Sequence, residues 1–564
     1  MSIINGSLDR RTALLSASNL TGNPFTRTEP SEEVIDRVFV GRVQQIREAA
    51  FRVLDRPRNL LVLGGYGLGK TTFIRKLLRE LQSSQQIRFL TGYAPLRSDT
   101  SQGLQLAALS ALAEGALQSA PPDSDLYRYA REVWEELSRI EGSASETIRA
   151  PDLRFREGLK LANGMYRRVV IAIDEIDKRD PQTVQSIVMG SRYFLDLEAS
   201  FILTGRFLDA FSDIRASLLA AFDHRIELQT FIPEESEEIL RRNLQIVRVA
   251  QEPTPTLQPF QREVVEAITQ RANGLPRPLN LMADAALEEA IWEAVEDKST
   301  KFEVTPEHLE RALRREGNLV FNKVGAEARD LLARIFRQNG YVTGGDLDTL
   351  APMGGLPEAI RTLEDLSKQD AVLRLGASQG PAFALTPMVE RKLEQLQKDH
   401  ERLQALWKDA TSSTDSHTRG RSLEEFADAF FGMAFKVVER NARTDTEELD
   451  LLLERSADTH PIFHDSYFIV ECKNWRSKPV DQRVISELLG KMQTRHRTQA
   501  FLLTSGEFTE DARQQAAYAF ASTKAEILLL SGQEIEAFLP SLKTVSDFLA
   551  EVHRRQTVLR RYTK

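Results

Sequence analysis

Two groups of residues in this 564-residue chain have the types and spacing that chemistry on phosphate requires. The first is Gly64-Gly65-Tyr66-Gly67-Leu68-Gly69-Lys70-Thr71, with Thr72 directly after it. Glycines at 64, 65, 67 and 69 let backbone N–H groups curl around phosphate oxygens without Cβ clashes, and a following helix adds its N-terminal partial charge. Lys70 would reach the β- and γ-phosphates of ATP, and the Thr71 hydroxyl would ligate Mg²⁺. Downstream, Val169-Val170-Ile171-Ala172-Ile173 ends in Asp174-Glu175, as a buried strand delivering carboxylates at its C-terminal edge would. Asp174 would hold Mg²⁺ through water, and Glu175 would polarise the water that attacks the nucleotide.

The second group is Asp450 followed by Glu471-Cys472-Lys473. On a strand, period-two alternation puts Glu471 and Lys473 on one face and Val470 and Cys472 on the other, so Cys472 is expected to be a small core residue and not a nucleophile. Two acids and a lysine converging at a strand pair suit phosphodiester hydrolysis, with Asp450 and Glu471 on Mg²⁺ and Lys473 at the attacked phosphate or its water.

The elements that must position these residues follow from hydrophobic periodicity. Leu60 to Leu63 reads as a buried strand, Thr71 to Leu81 as a helix, Phe201 to Leu203 as a strand ending in Thr204, and Ile226 to Leu228 as a strand preceded by Arg225. Between Lys70 and Asp174 lies a stretch longer than a crossover requires, rich in Ala and Leu, whose role the pattern does not reveal. Helices are expected over Glu327–Gln338, Gly345–Leu350 and Leu356–Lys368, then two short strands, Val372–Leu375 and Phe383–Leu385. Met388 to about Lys408 reads as a charged, solvated spacer helix, and Ala410 to Ser416 as a flexible linker. Beyond it come a helix over Ser422–Val438, strands at Leu449–Leu453 and Tyr467–Lys473, helix Val484–Gln493, strand Ala500–Thr504 and helix Thr509–Ala521. This is a multidomain α/β chain. Its expected divisions are a nucleotide-binding core over 1–232, a helical lid over 233–318, a winged-helix-like domain over 319–390, a spacer and linker over 391–418, and a catalytic domain over 419–564.

Bulk composition narrows the setting. Hydrophobic residues at 41% and charged residues at 28% are ordinary globular values, no apolar run is long enough to span a bilayer, and the first residues lack a secretory pattern. One cysteine rules out an internal disulfide framework or a cysteine-based zinc site, which suits a reducing cytoplasm. With a net charge of −8 there is no global field for nucleic acid, so DNA must be met by local patches or bound cations. One candidate patch is the tail carrying Arg554, Arg555, Arg560, Arg561 and Lys564.

The front half resembles the AAA+ ATPases, in the branch near the origin-recognition initiators, over roughly residues 20 to 315. The resemblance rests on the phosphate loop, the acid-ended strand, Phe39-Val40-Gly41-Arg42 ahead of the loop, Thr204, and Gly274-Leu275-Pro276-Arg277. It implies that Val40, Gly41 and Arg42 line an adenine pocket, with Asn23-Pro24-Phe25 similarly placed, that Thr204 and Arg277 sense the γ-phosphate, and that subunits assemble into a homo-oligomer. An arginine would then complete a neighbour's site: Arg225 fits best by position, with Arg206 and Arg215 as alternatives. Residues 320 to 386 resemble a winged-helix domain. Its third helix shows Glu358, Arg361, Glu364, Asp365 and Lys368, a mixed face that suits a protein partner or a hinge over sequence-specific DNA reading.

Glu448-Leu449-Asp450-Leu451, then Val470-Glu471-Cys472-Lys473-Asn474-Trp475, then Phe501 to Thr509 resemble the PD-(D/E)xK nucleases, most closely the Mrr-like branch, over roughly 418 to 540. The resemblance implies that Asp450 and Glu471 ligate metal, Lys473 is the catalytic lysine, and Glu424 is a first-helix acid, with Glu425 as its rival. Leu449 stands where the superfamily has proline. The combined expectation is an ATP- and Mg²⁺-dependent DNA endonuclease under ATPase control, in a bacterial defence effector. The competing expectations are a DNA-processing motor in repair or transposition, and an initiator-like DNA-binding platform with a silent nuclease fold.

Overall fold

The computed structural model of the chain describes residues 3–25, 33–141, 148, 150–176, 181–205, 221–250, 256–350, 356–375, 382–412, 416–443 and 448–562. Two compact bodies form: residues 1–323 with 338–389, and residues 324–337 with 390–564.

The first body is built on a parallel sheet of β1 (Leu60–Leu63), β2 (Phe89–Pro95), β3 (Arg168–Asp174), β4 (Ser200–Gly205) and β5 (His224–Glu227), in the order β2-β3-β4-β1-β5. These strands are continuous apolar runs because both faces are covered. Val169, Ile171 and Ile173 point into one hydrophobic cluster, while Val170 and Ala172 point into another with Phe73, Ile74 and Leu77 of helix Lys70–Gln82. The register pairs Leu63 with Gly205 and Ile173 with Leu203, so the phosphate loop, Asp174 and Thr204 all emerge at one sheet edge.

The long stretch between Lys70 and Asp174 contains β2 and the helices Ser101–Ser119, Asp125–Glu141 and Pro151–Met165, which cover one face of the sheet. Its small residues have a steric reason. A Cβ on Gly115 would sit 2.1 Å from the Thr91 carbonyl oxygen, and one on Gly92 would sit 2.1 Å from that of Ala111, so helix and strand meet backbone to backbone. A helical group follows, of helices Pro233–Ile246, Arg262–Ala272, Pro276–Glu296 and Pro306–Lys323 around their own apolar core.

Helices Ala326–Arg337, Gly344–Leu350 and Leu356–Lys368 form where the pattern places them, the first in the second body and the other two in the first, and the expected two-stranded wing has a third strand. Here β6 (Tyr341–Thr343), β7 (Val372–Leu375) and β8 (Ala382–Leu385) pair in the order β6-β8-β7. Three residues with one buried valine carry too little periodicity to be seen in sequence. Along helix Leu356–Lys368, Arg361 pairs with Glu358 and Lys368 with Asp365, so both of its bases are engaged by acids of the same helix.

The second body centres on β9 (Phe435–Arg443), β10 (Glu448–Arg455), β11 (Tyr467–Lys473), β12 (Gln499–Thr504) and β13 (Glu526–Leu530), ordered β13-β12-β11-β10-β9. The β9, β10 and β11 pairings are antiparallel, and those of β11, β12 and β13 are parallel. Alternation sends Phe468, Val470, Phe501, Leu503, Leu528 and Leu530 to a phenylalanine-rich core, and Ile469, Ala500, Leu502, Ile527 and Leu529 to the opposite one.

Three expectations are corrected here. The helix expected to reach Val438 ends at Phe431, the chain turns at Gly432, and Phe435 begins β9. The spacer helix, Pro387–Ser412, is not solvated: Leu393, Leu403, Trp407 and Ala410 are buried, and both ring nitrogens of His400 meet the carbonyls of Leu539 and Lys543. Nor is the linker a free tether through Ser412, because that segment is the helix's last turn and the carbonyls of Ala410 and Thr411 accept from Asn474 and Arg476. Net charge concealed a full amphipathic stripe. In the tail, Arg555 pairs with Glu534 and Arg554 donates to the Ala550 carbonyl, while Lys564 and the Arg560 and Arg561 side chains lie outside the description. Among the described residues no helix is long and apolar enough to cross a membrane.

Candidate active sites

At the first site the loop between β1 and helix Lys70–Gln82 turns through Gly67 and Gly69, whose φ angles of 76° and 82° suit only glycine well. Lys70 is buried, and its Nζ donates to the carbonyls of Gly64 and Gly65, 2.9 Å from each. Thr71 Oγ1 donates to Asp174 Oδ2 at 2.5 Å, and the Tyr93 hydroxyl donates to the same oxygen at 3.1 Å. The other carboxylate oxygen accepts the Glu175 backbone N–H at 2.7 Å. Glu175 itself has φ of 64°, a left-handed conformation that costs a side-chain-bearing residue about 1 kcal/mol or more. Thr204 is buried at the end of the adjoining strand. The hydroxyl, acid and lysine that nucleotide chemistry needs therefore meet at the loop.

Beside the loop is a cavity of about 430 Å³, lined by Asn23, Pro24, Phe39, Val40, Arg42, Gly69, Thr72 and Phe231 among others. Its apolar walls and the amides of Asn243 and Asn280 suit a flat heteroaromatic base, and its size is that of a small-ligand site. Val40 and Arg42 line it and Gly41 does not, because it is packed against Glu235 and Phe231. Phe25 is likewise turned away, buried edge-on against Phe260. Arg42 stacks 4.2 Å from the Phe231 ring centre and donates to the Leu68 carbonyl at 2.7 Å, and burial brings its pKa down to about 10. It thereby buttresses the loop.

Arg277 opens helix Pro276–Glu296, stacked on Tyr66 with its backbone N–H directed to the Gly67 carbonyl. Its guanidinium is held by Asp370, Nε at 2.7 Å and Nη2 at 3.0 Å. Arg225 is not brought to this site: it stands half exposed on edge strand β5, 3.6 Å from Glu227. The alternatives Arg206 and Arg215 lie outside the described residues.

At the second site β10 and β11 run antiparallel, and continuing their register past Leu451 opposite Val470 sets Asp450 opposite Glu471. Asp450 Oδ2 accepts the Cys472 backbone N–H at 2.6 Å. Glu471 is buried and binds two lysines, Lys473 Nζ at 2.6 Å and Lys491 Nζ at 2.7 Å. Burial, then the Glu471 charge, pushes the Asp450 carboxyl up to about 6, and Glu424 adds to the effect. Glu425 is exposed and is not among those neighbours, which separates the two rival acids. Burial works against the Lys473 charge, but Glu471 outweighs it and holds the ammonium above its ordinary value. Cys472 packs against the phenylalanine-rich core, and burial followed by the Asp450 charge raises its thiol, so it is no nucleophile.

Among the described residues no cluster of three or more acids, histidines or cysteines is gathered tightly enough to form a closed metal cage. The pair Asp450 and Glu471 suits an open hard-cation site instead, since Mg²⁺ is commonly held by one or two carboxylates with water completing the shell.

Comparison with known families separates the halves: residues 38–189 match the AAA ATPase domain, and residues 417–539 match the Mrr-type restriction endonuclease catalytic domain. The chain joins an AAA ATPase domain to a restriction-endonuclease domain. The two matches support ATPase and nuclease activity. No curated protein matches the chain. Among solved structures it is similar to the Aeropyrum pernix ORC1 protein in complex with DNA, at 17% identity over 68% of this chain and 95% of that one, with a TM-score of 0.36. Cdc6p from Pyrobaculum aerophilum follows at 12% identity, over 64% and 95%, with a TM-score of 0.32. The Thermotoga maritima RuvB Holliday junction branch migration motor gives 15% identity, over 63% and 95%, with a TM-score of 0.33. Similarity that distant says nothing about activity.

Two residues escaped the sequence reading of these domains. Tyr93 was invisible because β2 was not recognised. Lys491 left a usable signal in the nuclease domain: helix Gln482–Thr494 buries Val484, Ile485, Leu488 and Met492, and a lysine seven residues after Val484 falls on that apolar stripe.

Proposed function

We propose that this protein is an ATP-binding and ATP-hydrolysing, Mg²⁺-dependent DNA endonuclease in which the AAA ATPase domain controls the nuclease domain. The observation that carries the proposal is that both halves keep a complete set of reactive groups: Lys70, Thr71, Asp174 and Glu175 in one, Asp450, Glu471 and Lys473 in the other. Adenine enters the cavity beside Thr72 and Val40, and the triphosphate follows the loop over Gly64, Gly65, Gly67 and Gly69. Lys70 then exchanges its two loop carbonyls for phosphate oxygens, and Thr71 and Asp174 hold Mg²⁺. Glu175 orients the hydrolytic water, and Thr204 and Arg277 sense the terminal phosphate.

In the nuclease domain Asp450 and Glu471 hold Mg²⁺, which when bound supplies charge neutralisation and an activated water. Lys473 releases Glu471 to meet the attacked phosphate, and Glu424 stands as a third acid close enough to Asp450 to act on its charge. A silent nuclease fold is disfavoured by the intact acid pair and lysine. Regulated cleavage suits cytoplasmic defence against invading DNA, because unregulated cleavage would harm the host.

The deciding experiment incubates purified protein with plasmid, linear DNA and RNA, with and without Mg²⁺ and ATP. Mg²⁺-dependent cutting of DNA that changes with nucleotide supports the proposal. DNA binding with no cutting, unaltered in Glu471→Ala, would establish the platform instead, and ATP turnover driven processively by DNA would establish the motor.

A further inference from the structure

Resting on the nucleotide-site reading above, we infer that Asp370, outside the matched ATPase region, is a positioning residue of that site. Its carboxylate occupies Arg277 in place of a terminal phosphate, so that a triphosphate and the wing compete for one guanidinium.

Several independent observations converge on this junction within the first body. Asp370 takes both the Nε and an Nη of Arg277, a paired geometry that a phosphate group also accepts. Arg277 is simultaneously stacked on Tyr66 and joined by its backbone to Gly67, so the guanidinium lies at the phosphate loop itself. The wing follows Asp370 onto the same loop: a Cβ added to Gly65 would sit 2.8 Å from the Arg374 carbonyl oxygen. Leu373 is buried in a cluster with Leu68 of the loop and Leu275 just ahead of Arg277, with Leu375 and Ala384 packed against it. Asp370 holds a left-handed backbone conformation, φ of 60°, at the turn between helix Leu356–Lys368 and β7, which aims its side chain without a long flexible arm.

The consequence is a state-dependent exchange. Without a terminal phosphate, Asp370 keeps Arg277 oriented and keeps the wing seated on the loop. A triphosphate brings a stronger anion to the same donors, and its charge repels the Asp370 carboxylate, so Arg277 transfers and the wing loses this ion pair. Residues after β8 continue directly into helix Pro387–Ser412, whose later turns belong to the nuclease body, so the segment that reads the nucleotide is covalently continuous with the domain to be controlled.

The test uses the full-length protein, Mg²⁺, and two probes, ADP and the non-hydrolysable triphosphate AMP-PNP. Calorimetry gives their affinities for wild type, Asp370→Asn and Asp370→Glu, and hydrogen exchange follows backbone amides over 370–386. Asp370→Asn should tighten AMP-PNP by about three- to tenfold, the scale of a partly exposed ion pair, and leave ADP within about twofold. Asp370→Glu should restore discrimination toward the wild-type ratio. In wild type, AMP-PNP but not ADP should accelerate exchange over 370–386. Equal shifts for both nucleotides, or weaker AMP-PNP binding in Asp370→Asn, would reduce Asp370 to a structural ion pair. If that variant does not fold, identical wild-type exchange with ADP and AMP-PNP overturns the inference by itself. Failure of wild type to bind either nucleotide would instead remove the nucleotide-site reading on which it rests.

Discussion

Replacing Asp450 by asparagine should stabilise the nuclease body while abolishing cleavage. The carboxyl is raised from its ordinary 3.8 to about 6, first by burial and then by the charge of Glu471. A folded pKa about two pH units above the unfolded one costs the folded state about 3 kcal/mol when both states are ionised, at about 1.4 kcal/mol per unit. The sign follows from proton binding. Below about pH 4 the group is protonated in both states and there is no cost; as pH rises through the unfolded value stability is lost, and the loss is complete above about pH 6. Asparagine carries no charge at any pH, and its Oδ1 can still accept the Cys472 N–H that Asp450 Oδ2 accepts in wild type. Residual solvent access reduces the gain to roughly 1 to 3 kcal/mol. Urea unfolding of the full chain in EDTA, following the transition of the nuclease body, measures it at pH 7.5 and at pH 5. The variant should be more stable at pH 7.5, the difference should shrink at pH 5, and added Mg²⁺ should stabilise wild type far more than the variant. A variant no more stable than wild type at pH 7.5, or a difference that persists undiminished at pH 5, would refute the account of Asp450 as an acid held against its own charge.

Lys70→Ala should lose nucleotide binding by calorimetry, whereas Glu175→Gln should bind normally and hydrolyse at least about tenfold more slowly, since only the water-orienting carboxylate is changed. Gly115→Ala should destabilise the ATPase body by about 1 to 3 kcal/mol in thermal unfolding, because its Cβ would meet the Thr91 carbonyl oxygen at 2.1 Å with no flexible neighbour to move. Light scattering with ATP, ADP and no nucleotide should show ATP-dependent assembly in wild type and Glu175→Gln, and its loss in Arg225→Ala. A monomer in every nucleotide state would rule out a role for Arg225 in completing a neighbour's site.

What the sequence determined by itself were the features set by local chemistry. A glycine loop between an apolar strand and an amphipathic helix has the backbone freedom to curl around an anion, and Glu471-Cys472-Lys473 on an alternating strand had to send acid and lysine one way and thiol the other. Elements with strong periodicity, such as Leu60–Leu63, Leu356–Lys368 and Tyr467–Lys473, were legible to the residue. Tertiary structure decided what depends on partners distant in the chain. The charged helix over 387–412 looked solvated because the surface it covers lies more than a hundred residues away, at Leu539 and Lys543. Glu424 and Glu425 are adjacent in sequence, and only the fold turns one of them toward Asp450. Lys491 and Tyr93 acquire their partners through helix and strand placement, and Arg277 meets Asp370 because the wing is seated on the phosphate loop. Patterns of hydrophobicity encode which face of an element is buried, but the identity of the residue waiting on the other side is written only in three dimensions.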